Sequence, residues 1–386
     1  MPYETSPTST SGNASGKPQD LRVAKGTAYV SFAFDIGQSI DLEQAERHIA
    51  AATHRELIRH KRPAPPYFQF DQPPLRYCAA ADPIRIADFA TDASVDFVLY
   101  DFGAVSVTHR IPLGGNLTDL LPLGDALYDN AALLAASRAG VTRLLDAIRP
   151  AVVKPFVYDL VEDYVVYQLE ELTGHELTSP TAHVDPLRAH ATTIAQLLRA
   201  ECGPFSAQEI AEALACQVSY GADDVTIIDW NAALVRDTDA AAVLAVLEYA
   251  NVELLEMRFL DGQLDTALEE AYDMFNRRRW PGGGRLRPHA TDLRHVARLQ
   301  LDAALLFEGV NNALKLLGDQ YLARVYRLAS QRLHLDAWDT NILRKLQTLD
   351  STYQKLSNEQ SARRMEILEW IIIILIAISI VLPFIP

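Results

Sequence analysis

The last 17 residues of this 386-residue chain, Trp370 to Pro386, carry no charge and a single hydroxyl, Ser379. Twelve of them are Ile, Leu, Val or Phe. A run this apolar must leave water, either into a protein core or into a bilayer. At roughly 0.3–0.6 kcal/mol per side chain it favours a bilayer by ~4–7 kcal/mol. As a helix it covers ~25 Å, slightly short of the ~30 Å hydrocarbon core, a gap that local thinning closes. Trp370 suits the headgroup level, and Arg363 and Arg364 precede it as positive-inside residues do. The expectation is a single-pass tail anchor over 367–386, with the lipid bilayer as one partner. The bulk of the chain then lies on the cytoplasmic face, of a prokaryotic membrane or, in a eukaryote, of the mitochondrial inner membrane.

Residues 1–23 read as a disordered leader. Met1 to Asp20 is rich in Ser, Thr, Gly and Pro and lacks both an apolar run and Arg, so it is neither a secretory signal nor a transit peptide. Beyond it the pattern changes. Val30, Phe32, Phe34 and Ile36 alternate with Tyr29, Ser31, Ala33 and Asp35, the period-two signature of a strand with one buried face. Asp41 can cap a helix reaching about His60, which the prolines of 61–66 stop. Val95–Tyr100 and Val105–His109 flank Asp101-Phe102-Gly103-Ala104, a hairpin with Gly103 in the turn. A helix over 129–148, a strand over 158–169 and a further strand over 225–235 follow. The fold class expected is α+β: a ferredoxin-like α/β sandwich over 24–236, then a helical region over 237–366, then the membrane helix.

The helical region opens with a helix from about 238 to 279, with a candidate break at Asp261-Gly262. A flexible Trp280-Pro281-Gly282-Gly283-Gly284 segment follows, and then helices near 291–317, 319–334 and 336–366. Ile342, Leu346, Leu349, Tyr353 and Leu356 form a short a/d seam. It serves either a homo-oligomer through 335–360 or packing against the 291–317 helix of the same chain. Charge is unevenly shared: 277–366 carries 16 basic and 9 acidic residues, leaving an acidic remainder in a chain of net charge -15. That overall charge argues against a protein that coats nucleic acid. The basic segment, led by Arg277, Arg278 and Arg279, suits lipid headgroups, a protein partner, or RNA. The three cysteines, Cys78, Cys202 and Cys216, are too few and too scattered for a disulfide framework or a zinc site.

The junction Arg364-Met365-Glu366-Ile367-Leu368-Glu369-Trp370, running into Ile371–Ile374, resembles the C-terminal signature of the Required for Meiotic Nuclear Division family. Leu368, Glu369 and Trp370 carry the match. Phe102 and Gly103 of the hairpin, Glu162-Asp163-Tyr164 and Trp230 are similar to other family segments. The resemblance implies an α/β domain, helices and a membrane anchor, without an established catalytic activity. It also implies, from the mitochondrial members, a ribosome-tethering role in translation.

A search for chemistry finds no P-loop, no dinucleotide fingerprint, no nucleophile elbow and no zincin motif. His48, His54 and His60 spread around a helix, and Pro186 interrupts any helix shared by His183 and His190. Glu162 and Asp163 are adjacent on a strand, so they point to opposite faces and cannot act as a carboxylate pair. No catalytic, cofactor or metal residue is assigned. The leading expectation is a non-catalytic scaffold anchored in the membrane. A membrane-associated ribosome or RNA tether, and an enzyme with an unrecognised α/β site, are the alternatives.

Overall fold

The structure, a computed structural model, describes residues 21–53, 73–173, 187–221, 223–277, 301 and 320–381. The leader up to residue 20, the glycine segment at 280–284, most of the 291–317 helix, His54, His60, His183 and the prolines of 61–66 lie outside these. In chain order the elements are β1 (Arg22–Asp35), β2 (Ser39–Ile40), α1 (Leu42–Thr53), β3 (Leu75–Ala80), β4 (Arg85–Ile86), β5 (Phe89–Ala90), β6 (Ser94–Leu99) and β7 (Ala104–Asn116). They continue with α2 (Leu121–Leu127), α3 (Ala131–Ile148), β8 (Val152–Val153), β9 (Val161–Thr173), α4 (Ala191–Arg199) and α5 (Ala207–Ala213). The rest are β10 (Gln217–Val218), β11 (Val225–Ile228), β12 (Ala232–Arg236), α6 (Ala241–Arg277), α7 (Gln320–Arg332) and α8 (Leu335–Val381).

Eight strands form one mixed sheet in the order β10-β11-β12-β9-β1-β7-β6-β3. Every neighbouring pair is antiparallel except β12 and β9. The ferredoxin-like two-layer sandwich is therefore corrected to a three-layer arrangement, because β1 is buried on both faces. Ala28, Val30, Phe32 and Phe34 enter a core with Leu42 of α1, Leu123 of α2, Leu144 of α3 and Ile194 of α4. Ala33 enters a second core with Val246 and Leu255 of α6, Leu322 of α7 and Ile342 of α8. The second face was hard to recognise because its residues are small: Ser31, Ala33, Ala104 and Ser106 read as a solvent face but are buried under α6. The boundary expected near 236 falls between β12 and α6, which share that core.

Local signals behave as their chemistry requires. Asp41 Oδ1 accepts the Gln44 N–H at 2.9 Å, capping α1. The expected hairpin is present, with Tyr100 N–H bonded to the Ala104 carbonyl at 2.9 Å and Gly103 at φ +111°. The run at 225–235 is not one strand but a hairpin, β11 and β12, closed by Asp229 N–H to the Ala232 carbonyl at 2.9 Å. α6 continues through Asp261-Gly262 without a break, and Thr266 Oγ1 donates to the Gly262 carbonyl inside it. Ile342, Leu346 and Leu349 of the seam are buried, and α8 packs along α6, while the 291–317 helix lies almost wholly outside the described residues. Lys345 fixes that contact with ion pairs to Asp261 (2.7 Å) and Asp265 (2.5 Å) of α6.

The C-terminal expectation is also corrected. Among the described residues no helix is long and apolar enough to cross a membrane. The uncharged end of α8, Trp370–Val381, covers about 18 Å at 1.5 Å per residue. The turns before it carry Arg363, Arg364, Glu366 and Glu369, so an apolar window cannot be extended backwards to the ~30 Å required. The transmembrane helix, the tail anchor and the single-pass location fall together.

Gly103 is the position where the hairpin tolerates no side chain. Its φ is in the left-handed region, and a Cβ there would collide with the Gly37 carbonyl across the loop. Gly103→Ala is expected to destabilise the fold by about 3 kcal/mol or more, read as a lower urea midpoint at unchanged m. An unchanged midpoint would show that the loop can move aside.

Candidate functional site

A cleft of about 330 Å³ opens where the first turns of α6 lift away from the sheet. Its floor comes from four strands. Tyr29 and Ser31 project from β1, Thr108 from β7, Gln168 from β9 and Arg76 from β3. The wall is α6, with Ala241, Leu244, Ala245 and Glu248 facing the sheet. Alternation places these groups here: Tyr29, Ser31 and Ala33 share one face of β1, and only towards Tyr29 do the side chains become large and polar.

The floor is cross-linked. Arg76 donates to Glu248 Oε2 at 3.0 Å and Thr108 Oγ1 to Glu248 Oε1 at 3.3 Å. Tyr29 Oη donates to Gln168 Oε1 at 3.2 Å, and Gln168 Nε2 to the Asp237 carbonyl at 2.9 Å, just before α6. Ser31 Oγ donates to the Tyr164 carbonyl at 3.0 Å. At the rim Glu170 pairs with Lys25, and Asp96 with Arg110 at 3.4 Å. Arg76 Nε is buried and makes no hydrogen bond among the described residues. The cleft thus presents donors and acceptors on a cross-linked floor, with Arg76, Glu248, Glu170 and Asp96 in ion pairs and Asp239 at its edge.

Two other constellations look chemical and are structural. His109 Nε2 lies 2.9 Å from Ser137 Oγ, the spacing of a base and a nucleophile. Both residues are buried between β7 and α3, and burial pushes the imidazole down to about 4, so it stays neutral. No substrate reaches them. The second centres on Asp229, whose side chain is fully buried in the β11–β12 turn. It receives Arg199 Nε of α4 at 2.9 Å, Arg332 Nε of α7 at 2.6 Å and the Trp230 N–H at 2.8 Å. Arg199 also meets Glu209, and Arg332 meets Glu212 at 3.1 Å. Among the described residues no group of His, Cys, Asp and Glu is arranged to hold a metal.

The residues singled out from sequence are scattered rather than gathered. Glu162 and Asp163 do point to opposite faces: Glu162 is buried and pairs with Arg258 of α6, whereas Asp163 is exposed. Burial raises the Glu162 carboxyl to about 7. Tyr164 donates to the Asp229 carbonyl at 2.8 Å. Trp230 is half-exposed at the hairpin tip, and Phe102 stacks on Tyr100 beside Gly103. Arg277 ends α6, while Arg278 and Arg279 lie outside the described residues. Arg363, Arg364, Leu368, Glu369 and Trp370 fall on α8, where Glu369 and Trp370 are exposed. None of them lines the cleft, whose groups come from six elements between residues 29 and 248 and form no contiguous motif.

The region that builds this sheet and cleft is also the region that matches a family. Residues 25–242 match the family described as the N-terminal domain of the uncharacterized protein MJ0711. The chain belongs to the MJ0711 N-terminal domain family. This match overturns the resemblance to the Required for Meiotic Nuclear Division family, which rested mainly on the C-terminal segment outside it. Uncharacterized protein MJ0711 of Methanocaldococcus jannaschii is 24% identical over 218 residues, covering 55% of this chain and 66% of that protein. The chain thus matches just under two thirds of that relative's length. No solved structure matches. Within the matched span fall β1 from Lys25 onwards, β2 to β12 and the first two residues of α6, so the cleft floor lies inside it and most of the α6 wall outside.

Two outcomes test the structural assignments. Asp229→Ala leaves Arg199 and Arg332 without their buried anion and is expected to cost about 3–5 kcal/mol in urea unfolding, far above a surface substitution. His109 is held neutral by burial, so its contribution is complete above the free imidazole value near 6.5 and is lost as pH falls towards 4. The combined His109→Phe, Ser137→Ala chain should lose less thermal stability than the native protein over that range. An equal loss in both would remove His109 from the acid response.

Proposed function

We propose that this member of the MJ0711 N-terminal domain family is a non-catalytic binding protein that takes a small, polar, hydrogen-bonding molecule in the cleft beneath α6. The observation that carries this is the convergence of Tyr29, Arg76, Thr108, Gln168 and Glu248 on one cavity of about 330 Å³. That volume is the size of a small ligand site, and polar groups brought together from separate elements set a ligand's orientation. Arg76 Nε, a buried donor with no acceptor among the described residues, supports the same reading. Pairing supports binding without turnover: Glu248 is held by Arg76, Glu170 by Lys25 and Asp96 by Arg110. A carboxylate held by a guanidinium or ammonium partner is a poor proton shuttle at neutral pH.

The test is thermal unfolding of the full chain against a panel of nucleosides, sugars and amino acids. A true ligand at about 100 times its Kd adds about 2.7 kcal/mol and raises Tm by roughly 3 °C for a chain of this length. Ala241 is exposed at the cleft mouth, so Ala241→Trp should leave the unliganded Tm unchanged and abolish the shift. A shift that survives this variant would move the site elsewhere. Steady conversion of the bound compound would overturn the non-catalytic half of the reading.

A further inference from the structure

Glu253 lies in the middle of α6 with only 2% of its surface exposed. Its Oε2 accepts the Tyr326 hydroxyl of α7 at 2.5 Å, while its Oε1 is buried and has no hydrogen-bond partner among the described residues. A carboxylate that gives up water for one hydrogen bond is costly, whereas the neutral acid is far cheaper to bury. The surroundings offer no relief. Asp336 and Asp339 act on it from α8, and Tyr326 faces it from α7. Tyr249 and Glu256 lie one turn away on its own helix, and Tyr100 and Asp101 approach Tyr249 from the β6–β7 turn. Asp339 Oδ1 is likewise buried without a partner. Every charged group named here is acidic, although α7 and α8 belong to a basic stretch of sequence.

We propose that Glu253 is a proton-operated latch: protonated, it lets α7 and the start of α8 seal onto α6, and ionised, it releases them. The packing around it suits such a device. Val325, Tyr326 and Ala329 of α7 and Leu335 and Ile342 of α8 share one core with Tyr249 and Met257 of α6 around this buried acid, with Lys345–Asp261 on α8 and Arg332–Asp229 at the end of α7 as polar ties on either side of it. Burial is the main cause that raises the Glu253 carboxyl, to about 8, with the α8 aspartates adding to it and the Tyr326 hydrogen bond opposing it. A carboxyl raised in the closed state stabilises that state below its free value near 4.5 and loses the contribution as pH rises to about 8. Opening of α7 and α8 therefore becomes easier by about tenfold per pH unit across that window, if no other group titrates with it. This latch does not rest on ligand binding in the cleft.

The experiment is hydrogen exchange of the full chain at pH 6 and pH 8, read peptide by peptide by mass spectrometry and corrected for the intrinsic dependence of exchange on pH. Native protein should lose at least about tenfold of its protection in α7 and in the first turns of α8, while β1 and β9 keep theirs. Glu253→Gln, which keeps the shape and cannot ionise, should show the same protection at both pH values. Equal losses in native protein and Glu253→Gln would overturn the latch, as would losses spread evenly over β1 and β9. Should Glu253→Gln fail to fold, the carboxyl 13C titration of the native chain decides instead. A glutamate titrating near pH 8 and broadened by exchange with α7 supports the latch, and a chain whose glutamates all titrate below about pH 6 overturns it.

Discussion

The three layers depend on one buried negative charge. Asp229 has no exposed side-chain surface, so its carboxylate must find partners inside the protein. They come from opposite sides of the sheet: Arg199 from α4, which packs with α2 and α3, and Arg332 from α7, which packs with α6. Neither helical layer can dock fully without completing the other's ion pair. Glu209 and Glu212 hold the outer sides of the two guanidiniums, and Tyr164, in the middle of β9, grips the Asp229 carbonyl. The β11–β12 end of the sheet is thereby pinned to both layers.

The cleft spans the strands from β9 to β3, and its position follows from side-chain size. Along the α6 side of the sheet, Ser31, Ala33, Ala104 and Ser106 are small enough for the helix to lie close. Elsewhere on the same face stand the larger polar groups Gln168, Tyr29, Thr108 and Arg76, from β9 across to β3, and the gap beneath the first turns of α6 is lined by them. Gln168 then secures the approach to the helix through the Asp237 carbonyl, so the gap is held open by hydrogen bonds.

Local signals were legible in the sequence wherever the chemistry is local. The alternation of 29–36, the Asp41 cap, the Gly103 turn and the opposed directions of Glu162 and Asp163 each depend on a few neighbouring residues. What failed depends on distance. The turn at Asp229 hides inside an apolar run because its partners are 30 and 103 residues away. Small residues on the second face of β1 imitate a solvent face, and only an alanine-rich helix more than two hundred residues later turns them into core. The cleft has no signature because six separate elements contribute a few side chains each. The C-terminal run misled for the opposite reason: Arg363 and Arg364 read as flanking anchors, whereas with Glu366 and Glu369 they leave the described helix too short an apolar window.

α6 ties these features together. Its first turns wall the cleft with Glu248; one and a half turns on, Glu253 meets α7 and α8; beyond that Arg258 pairs with Glu162 of the sheet and Asp261 with Lys345 of α8. A continuous helix transmits displacement along its axis far better than a loop, because its hydrogen-bonded turns resist local bending. A molecule wedged under one end and a proton lost from the middle therefore act on the same rod. Coupling between them requires that the rod have two discrete seats on the sheet. The acidic pocket around Glu253 supplies a physical reason for a second seat: ionisation removes the advantage of the closed one, and the Arg332–Asp229 pair at the end of α7 opposes its release.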